Sequence, residues 1–431
     1  MRIFVATEAR LYQNEDGRVL TPNPAAGYPT WAGYLGVFDE VLLAARVARG
    51  AGDEQEGVPV EGAGVRVVPL PTFQGVPAYL RRWPALRYAV HRAVTELRGP
   101  AADTAFIARI PGLVGTVLVS ELRRQQVPFG LEVVGDVAEV LADHRLAAML
   151  AGQLLARQCR DAAVVSYVTR HVLQSRYPAR PGVPMVSCPG ALLRDEDFVP
   201  EPRRAPDMWS MTGAGHPRPS QSRPVRLLTI GSQERVYKGH DVLVDAVALM
   251  RSRGIPLTVT IVGDGRHHDE IVHRAMARGL GESVRFVRWL ASRAEVRAAL
   301  DDADVFVLPS RTEGLPRVLV EAAARALPAV ASAVGGVVEF LPPSDLVPPD
   351  DAGRLADTLS EMIASPERYS AASERNLAAA REHSSDRIRP AILSFHRTLW
   401  ERTAGMAGTD SPAGSGAGHR DLAGPSVWSG Q

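Results

Sequence analysis

The chain has 431 residues, enough for two or three domains with buried cores. Its 49 Lys and Arg nearly cancel 48 Asp and Glu, so the net charge of +1 gives no sign of a nucleic-acid or polybasic membrane partner. The two cysteines, Cys159 and Cys188, have neither metal-ligand spacing nor the number for a disulfide framework.

From the N-terminus, Arg2–Thr7 reads as a short strand that runs into charged sequence at Glu8, too short for a signal-peptide core. The longest uncharged apolar stretch, 326–338, contains Pro328 and glycines and is too short to span a bilayer. A soluble, cytoplasmic protein with reduced thiols is the expectation. Further strand candidates in the first half are 40–45, 65–70, 104–110, 128–134, 162–169 and 184–188. Tyr79–Val94 is an amphipathic, basic and aromatic helix candidate interrupted by Pro84. A solvated basic face is the default reading, with peripheral contact to an anionic membrane as the alternative.

Residues 201–224 are rich in Pro, Ser, Gly and Arg and lack apolar periodicity, a linker composition. Strand candidates resume at 225–230, 257–262, 283–288, 305–309 and 329–332, alternating with helical stretches. The pattern predicts an α/β fold of two doubly wound, Rossmann-like domains facing across a cleft. Residues 1–200 form the first domain, 225–384 the second, and 385–403 a terminal helix with apolar residues at helical spacing. Residues 404–431 are too poor in apolar side chains to offset ordering entropy, which predicts a disordered tail.

The most informative run is Pro309–Ala322, which follows the apolar strand Val305–Leu308 and leads into an alanine-rich helix. Pro316 suits the first helical position, and Gly314 lets the backbone come close to a ligand at the helix end. Free N–H groups and a partial positive charge make such an end a seat for a diphosphate. Seven residues separate Glu313, in the loop, from Glu321, within the helix, where a carboxylate can meet sugar hydroxyls. A second segment, Val225–Val244, ends a strand at Ile230, continues through a glycine-containing loop and starts a helix near His240. Lys238 in that loop is placed to neutralise charge on a leaving diphosphate.

The Glu313–Glu321 spacing resembles the Glu-x7-Glu signature of family 4 (group 1) glycosyltransferases, which have the GT-B fold. Lys238-Gly239, Ile261–Gly265, Val284–Leu290 and Gly335-Gly336-x-x-Glu339 resemble other family segments in the same order, covering residues 225 to about 400. The resemblance implies that Glu321 holds the donor ribose, Glu313 lies beside the donor sugar, and Gly314, Leu315 and Pro316 line the sugar and phosphates. Lys238 grips the phosphates in such a site. Where the family has an arginine after Gly231, this chain has Ser232 in a loop one residue longer, with Arg235 as a candidate substitute. The family's N-terminal Gly-Gly loop is replaced by Thr7–Gly17, and Gly135-Asp136 stands where a sugar-contacting histidine is usual, leaving Asp136 as a replacement or a helix cap. Arg109 ends a strand as a candidate for the acceptor floor. For Asp264 a structural turn is the expected role.

These features lead to transfer of a hexosyl group from a nucleotide diphosphate-sugar, with a UDP-hexose as the default donor, to the hydroxyl of a small molecule, a glycan or a lipid-linked glycan. Retention of configuration is implied by the family. No cofactor is expected and no metal: no Asp-x-Asp sits at a strand end, and Asp195–Asp197 lies in the loop before the linker. The competing readings are a sugar-nucleotide epimerase or phosphorylase of the same plan and a non-catalytic nucleotide-sugar-binding subunit.

Overall fold

The computed structural model describes residues 1–23, 26–49, 57–73, 75–98, 103–141, 144–188, 192–205, 223–290 and 292–407. The first sheet contains β1 (Arg2–Gln13), β2 (Val19–Thr21), β3 (Glu40–Arg49), β4 (Val58–Pro59), β5 (Val65–Leu70), β6 (Thr104–Ile110), β7 (Gly130–Val133), β8 (Val164–Tyr167) and β9 (Met185–Ser187). Its parallel strands run in the order β5-β3-β1-β6-β7-β8-β9, and β2 and β4 add an antiparallel extension beside the end of β1. Its helices are α1 (Tyr28–Ala32), α2 (Gly75–Leu97), α3 (Leu113–Arg124), α4 (Val137–Val140), α5 (Arg145–Asp161) and α6 (Val172–Arg176).

Both faces of this sheet are covered, which is why its strands read as near-continuous apolar runs. On one face Phe4, Phe106, Ala108 and Leu131 pack against Leu86 and Val90 of α2 and Val114 and Leu118 of α3. On the other, Ile3, Val41, Ala105 and Ile107 pack against Trp31, Tyr34 and Phe38. Phe395 and Leu399 of the last helix join that second cluster.

The second sheet holds β10 (Val225–Ile230), β11 (Leu257–Val262), β12 (Val284–Val287), β13 (Val305–Leu308), β14 (Ala329–Ser332) and β15 (Leu346–Val347). All are parallel, in the order β12-β11-β10-β13-β14-β15. The helices are α7 (His240–Ser252), α8 (His268–Ala277), α9 (Arg293–Asp302), α10 (Arg317–Ala324), α11 (Val337–Phe340), α12 (Ala352–Ala364) and α13 (Pro366–Arg381). Leu243 and Val247 of α7, Ile271 of α8, Leu359 of α12 and Tyr369 of α13 cover one face, and Leu300, Leu319, Ala322 and Val337 cover the other. The chain then returns to the first domain through α14 (Ser385–Ala407).

Three boundaries differ from the sequence reading. The first strand does not stop at Thr7 but continues to Gln13, with a register shift against β3 between Ala6 and Arg10. Alternate residues of this charged extension still turn inward, as the burial of Leu11 shows. The helix α2 runs through Pro84 rather than breaking there. Residues 404–407 form the last turn of α14, and the remainder of the expected tail lies outside the described residues. Most of the expected linker also lies outside them, but Arg203, within its bounds, is bonded to Leu300, Ala303 and Arg325 carbonyls of the second domain at 2.9, 2.6 and 2.8 Å.

Candidate active site

In the second sheet β10 and β13 are neighbours, and the strand order reverses at this point. Ligands of open parallel sheets bind in the crevice beyond the strand carboxyl ends at such a reversal. Two loops emerge here, 231–239 after β10 and 309–316 after β13. They touch closely: Gly239 has φ 67°, and a Cβ there would lie 1.9 Å from the Pro309 carbonyl oxygen. Only glycine takes that backbone and that approach without strain. Arg311 ties the loops further, donating to Asp241 at 3.0 and 2.7 Å, to Asp350 at 2.6 Å and to the Val236 carbonyl.

Within this frame Lys238 Nζ lies 2.6 Å from Glu313 Oε1, and the same oxygen accepts a bond from Ser310 Oγ at 2.7 Å. The lysine and glutamate side chains are 15% and 8% exposed, so the pair is shielded from water but reachable from the crevice. Burial alone would lower the Lys238 pKa, but the Glu313 carboxylate and the Tyr237 hydroxyl together outweigh it and the net shift is upward. Lys238 is therefore a fixed cation at neutral pH. Its methylenes lie over Gly231, and its ammonium sits 5.2 Å from the centre of the Tyr237 ring. Ser232 and Arg235 are exposed, and Ser232 Oγ accepts from Glu234 N at 3.2 Å. Among the described residues Arg235 has no carboxylate partner, which leaves a second cation at the loop's tip. Asp264 forms a turn, accepting from its neighbour Gly265 N at 2.8 Å.

The helix α10 begins at Arg317, with Pro316 in the cap position and not at the first helical position expected for it. Leu315 packs against a small cluster containing Val320 and Ala323. Glu321 lies one turn beyond Arg317. Burial raises the Glu321 pKa above the ordinary carboxylate range, opposed by the Arg317 and Arg293 charges, with Asp197 adding to the rise.

Gly314 has a different neighbour from the one expected. A Cβ there would lie 2.5 Å from the Val134 carbonyl oxygen of the first domain. The missing side chain thus admits the other domain, and Gly336 N holds the Gly314 carbonyl in place at 2.6 Å. Nearby, the Glu339 carboxylate accepts the backbone N–H groups of Arg170 at 2.6 Å, His171 at 2.9 Å and Val172.

Residues 224–365 match the model of the family described as glycosyl transferases group 1. The second domain thus matches the group 1 glycosyltransferase family. The chain is 28% identical over 329 residues to the GDP-mannose-dependent alpha-(1-6)-phosphatidylinositol monomannoside mannosyltransferase of Mycolicibacterium smegmatis, covering 70% of this chain and 81% of that protein. Protein CapJ of Staphylococcus aureus is 22% identical over 343 residues, covering 78% of this chain and 80% of its own length. The sucrose-phosphate synthase of Thermosynechococcus elongatus superposes with a TM-score of 0.67 at 17% identity, over 93% of this chain and 100% of that one. At that identity the likeness shows the fold, which is GT-B.

Two first-domain candidates fare differently. Arg109 reaches toward the second domain: after burial, its charge and that of Arg293 lower the Arg317 pKa. Its guanidinium lies 3.1 Å from Glu132 and 5.3 Å from the centre of the Trp31 ring. Glu132 also accepts from Tyr34 Oη at 2.6 Å. Asp136 does not face the crevice. It is 1% exposed, caps α4 by accepting from Ala138 N at 2.8 Å, and is paired with Arg176 and Tyr177. A carboxylate so enclosed is saturated by the fold, which removes it from the sugar-binding candidates. The sequence reading passed over Ser310, Arg311 and Arg317. Arg317 was recoverable, since it lies four residues before Glu321 on the same helix face.

The described residues contain no group of three or more His, Cys, Asp or Glu side chains arranged to hold a metal ion. No described helix is long and apolar enough to cross a membrane.

Proposed function

We propose that the protein transfers a hexosyl group from a nucleotide diphosphate-sugar to an acceptor hydroxyl, with retention of configuration and without a metal ion, in building a polysaccharide, glycolipid or secondary metabolite. The observation that carries this reading is the Lys238–Glu313 pair held at the strand-order reversal beside the start of α10. As the bond between the anomeric carbon and the diphosphate oxygen breaks, negative charge gathers on the departing nucleoside diphosphate. Lys238, with Arg235 at the loop tip and the N–H groups at the start of α10, meets that charge from positions fixed beforehand. Glu321 takes the ribose hydroxyls, its raised pKa reflecting a carboxylate that has lost water and gains from hydroxyl donors. Glu313 keeps Lys238 charged and offers its second oxygen to the donor sugar. Gly231, Ser232, Leu315 and Pro316 supply the backbone around the phosphates. Gly314, by letting the domains meet, helps exclude water so that transfer prevails over hydrolysis.

A UDP-hexose is the donor proposed first. Anabaena HepE, which shares the fold with a TM-score of 0.60, has been solved with UDP-glucose. The mycobacterial relative is by name GDP-mannose-dependent, so both donors belong in the test. The purified protein incubated in EDTA with UDP-glucose or GDP-mannose and a panel of acceptors should release the nucleoside diphosphate and give a glycoside of the donor's own anomeric configuration by NMR. Turnover that vanishes in EDTA and returns with magnesium or manganese would overturn the metal-independent account. Donor binding without turnover for any acceptor would favour a non-catalytic subunit.

A further inference from the structure

Outside the donor crevice, the first domain carries a cavity of about 740 Å³, within the size range of small-molecule sites. It opens beyond the carboxyl ends of β3 and β5, beside the extension of β1 and the start of α2. Arg10, Arg46, Thr72, Phe73, Arg81 and Arg82 are among its lining residues. Its polar lining is thus dominated by guanidinium groups.

These charges are not equivalent. Arg46 is the fixed element: its side chain is 12% exposed, lies 2.9 Å from Glu8, donates to the Phe73 carbonyl at 3.1 Å and stacks 4.6 Å above the Phe73 ring. Glu8 is itself held by Val114 N at 2.6 Å, so it balances Arg46 and has little left for other cations. Arg10 touches Glu234 only at 3.4 Å, and Glu234 is already bonded to Arg266 at 2.6 Å. Among the described residues Arg81 and Arg82 have no carboxylate partner. Three guanidinium groups therefore face one cavity with little compensation. Like charges gathered this way repel unless an anion joins them, and guanidinium forks match phosphate oxygens in pairs.

The cavity's position ties it to the reaction. The contact between Arg10 and Glu234 spans the two domains, and Glu234 belongs to the same loop as Lys238 and Arg235. Arg235 lies near enough that its charge acts on Arg46. A molecule seated in the cavity would lie beside Arg10 and so close to the loop that carries Glu234.

We propose that this cavity is the acceptor subsite and that it selects an acceptor bearing a phosphate group, gripped by Arg10, Arg81 and Arg82 above the floor made by Arg46 and Phe73. The proposal rests on the transferase reading above and adds the acceptor's chemical class. The phosphate can belong to a soluble sugar phosphate or to a lipid headgroup, which share the same recognition chemistry.

The test uses the full chain with UDP present. Calorimetry with glucose 6-phosphate, and cosedimentation with phosphatidylinositol against phosphatidylcholine vesicles, are run on the wild type, the Arg81→Gln/Arg82→Gln variant and an Arg92→Gln control. Arg92 lies on the same helix but pairs with Glu96 outside the cavity lining. The expected result is binding of at least one phosphate probe that weakens tenfold or more in the double variant and is unchanged in the control. Loss of glucose 6-phosphate binding assigns a soluble acceptor, and loss of vesicle binding alone assigns a lipid-borne one. Equal weakening by Arg92→Gln would reduce the effect to general charge and overturn the proposal. So would phosphate probes that fail to distinguish the double variant from the wild type while UDP still binds. UDP affinity is measured separately: phosphate binding without UDP binding would leave the cavity assignment standing and overturn the donor reading.

Discussion

Replacing Lys238 by methionine keeps the stem that lies over Gly231 and removes the charge. Two effects follow, and the structure separates them. If Lys238 meets charge that grows in the transition state, its loss costs about 2.7–4 kcal/mol of barrier lowering, roughly a hundred- to a thousandfold in kcat. The same change leaves Glu313, 8% exposed and bonded to Ser310, as a buried carboxylate without its cation. Breaking a buried pair from one side costs about 3–5 kcal/mol of stability, and the partial exposure of Lys238 places the cost near the lower figure. Glu313→Gln removes the orphaned charge and keeps an acceptor for Ser310 Oγ. The double variant Lys238→Met/Glu313→Gln should therefore recover most of the lost stability in denaturant titrations. Its kcat should remain about a hundredfold below that of Glu313→Gln alone. Steady-state kinetics at saturating donor provide the comparison. If the double variant turned over as fast as Glu313→Gln, the lysine would serve only to neutralise its neighbour, and its assignment to the diphosphate would be wrong.

Glu321→Ala should mainly raise donor KM, because ribose hydroxyls do not change along the reaction coordinate; a large fall in kcat at unchanged KM would contradict that role. Gly239→Ala should destabilise the second domain strongly, since a Cβ would meet the Pro309 carbonyl oxygen at 1.9 Å; an unchanged melting temperature would refute the tight loop contact. His240 and His396 have pKa values lowered to about 4, chiefly by burial, so the fold keeps them neutral where the unfolded chain takes up protons. Stability should fall as pH drops from about 6.5 toward 4, by up to ~1.4 kcal/mol per pH unit for each histidine. His396→Phe should flatten that slope in thermal melts, and an unaltered slope would remove His396 as a contributor.

The central parallel strands were legible because they are largely buried, so Val305–Leu308 and Val225–Ile230 stand out as apolar runs bounded by glycine or proline. The Glu313–Glu321 spacing and Lys238-Gly239 stood out as local patterns that resemble family segments, and the structure brings Lys238 and Glu313 together. What escaped depended on partners distant in sequence. Asp136 looks like a free loop carboxylate until Arg176 and Tyr177, some forty residues later, enclose it. Gly314 looks like a ligand-facing glycine until the Val134 carbonyl arrives from the other domain. The extension of β1 carries Glu8 and Arg10 and reads as loop, yet its charges line a cavity that forms only when β3, β5 and α2 surround it.

The return of α14 bears on the order in which the polypeptide can mature. Phe395 and Leu399 sit in the same cluster as Ile3, Val41 and Ile107. Fully burying each such side chain contributes roughly 1.5–3 kcal/mol, a sizeable part of a domain's net stability. During synthesis the first domain leaves the ribosome early but cannot close this face of its sheet until the last helix has emerged. Its exposed Ile, Val and Phe side chains must stay out of aggregates through the whole translation of the second domain. A fragment ending before Ser385 is therefore a poor choice for expressing the first domain alone, and supplying α14 as a separate peptide should improve its recovery in soluble form.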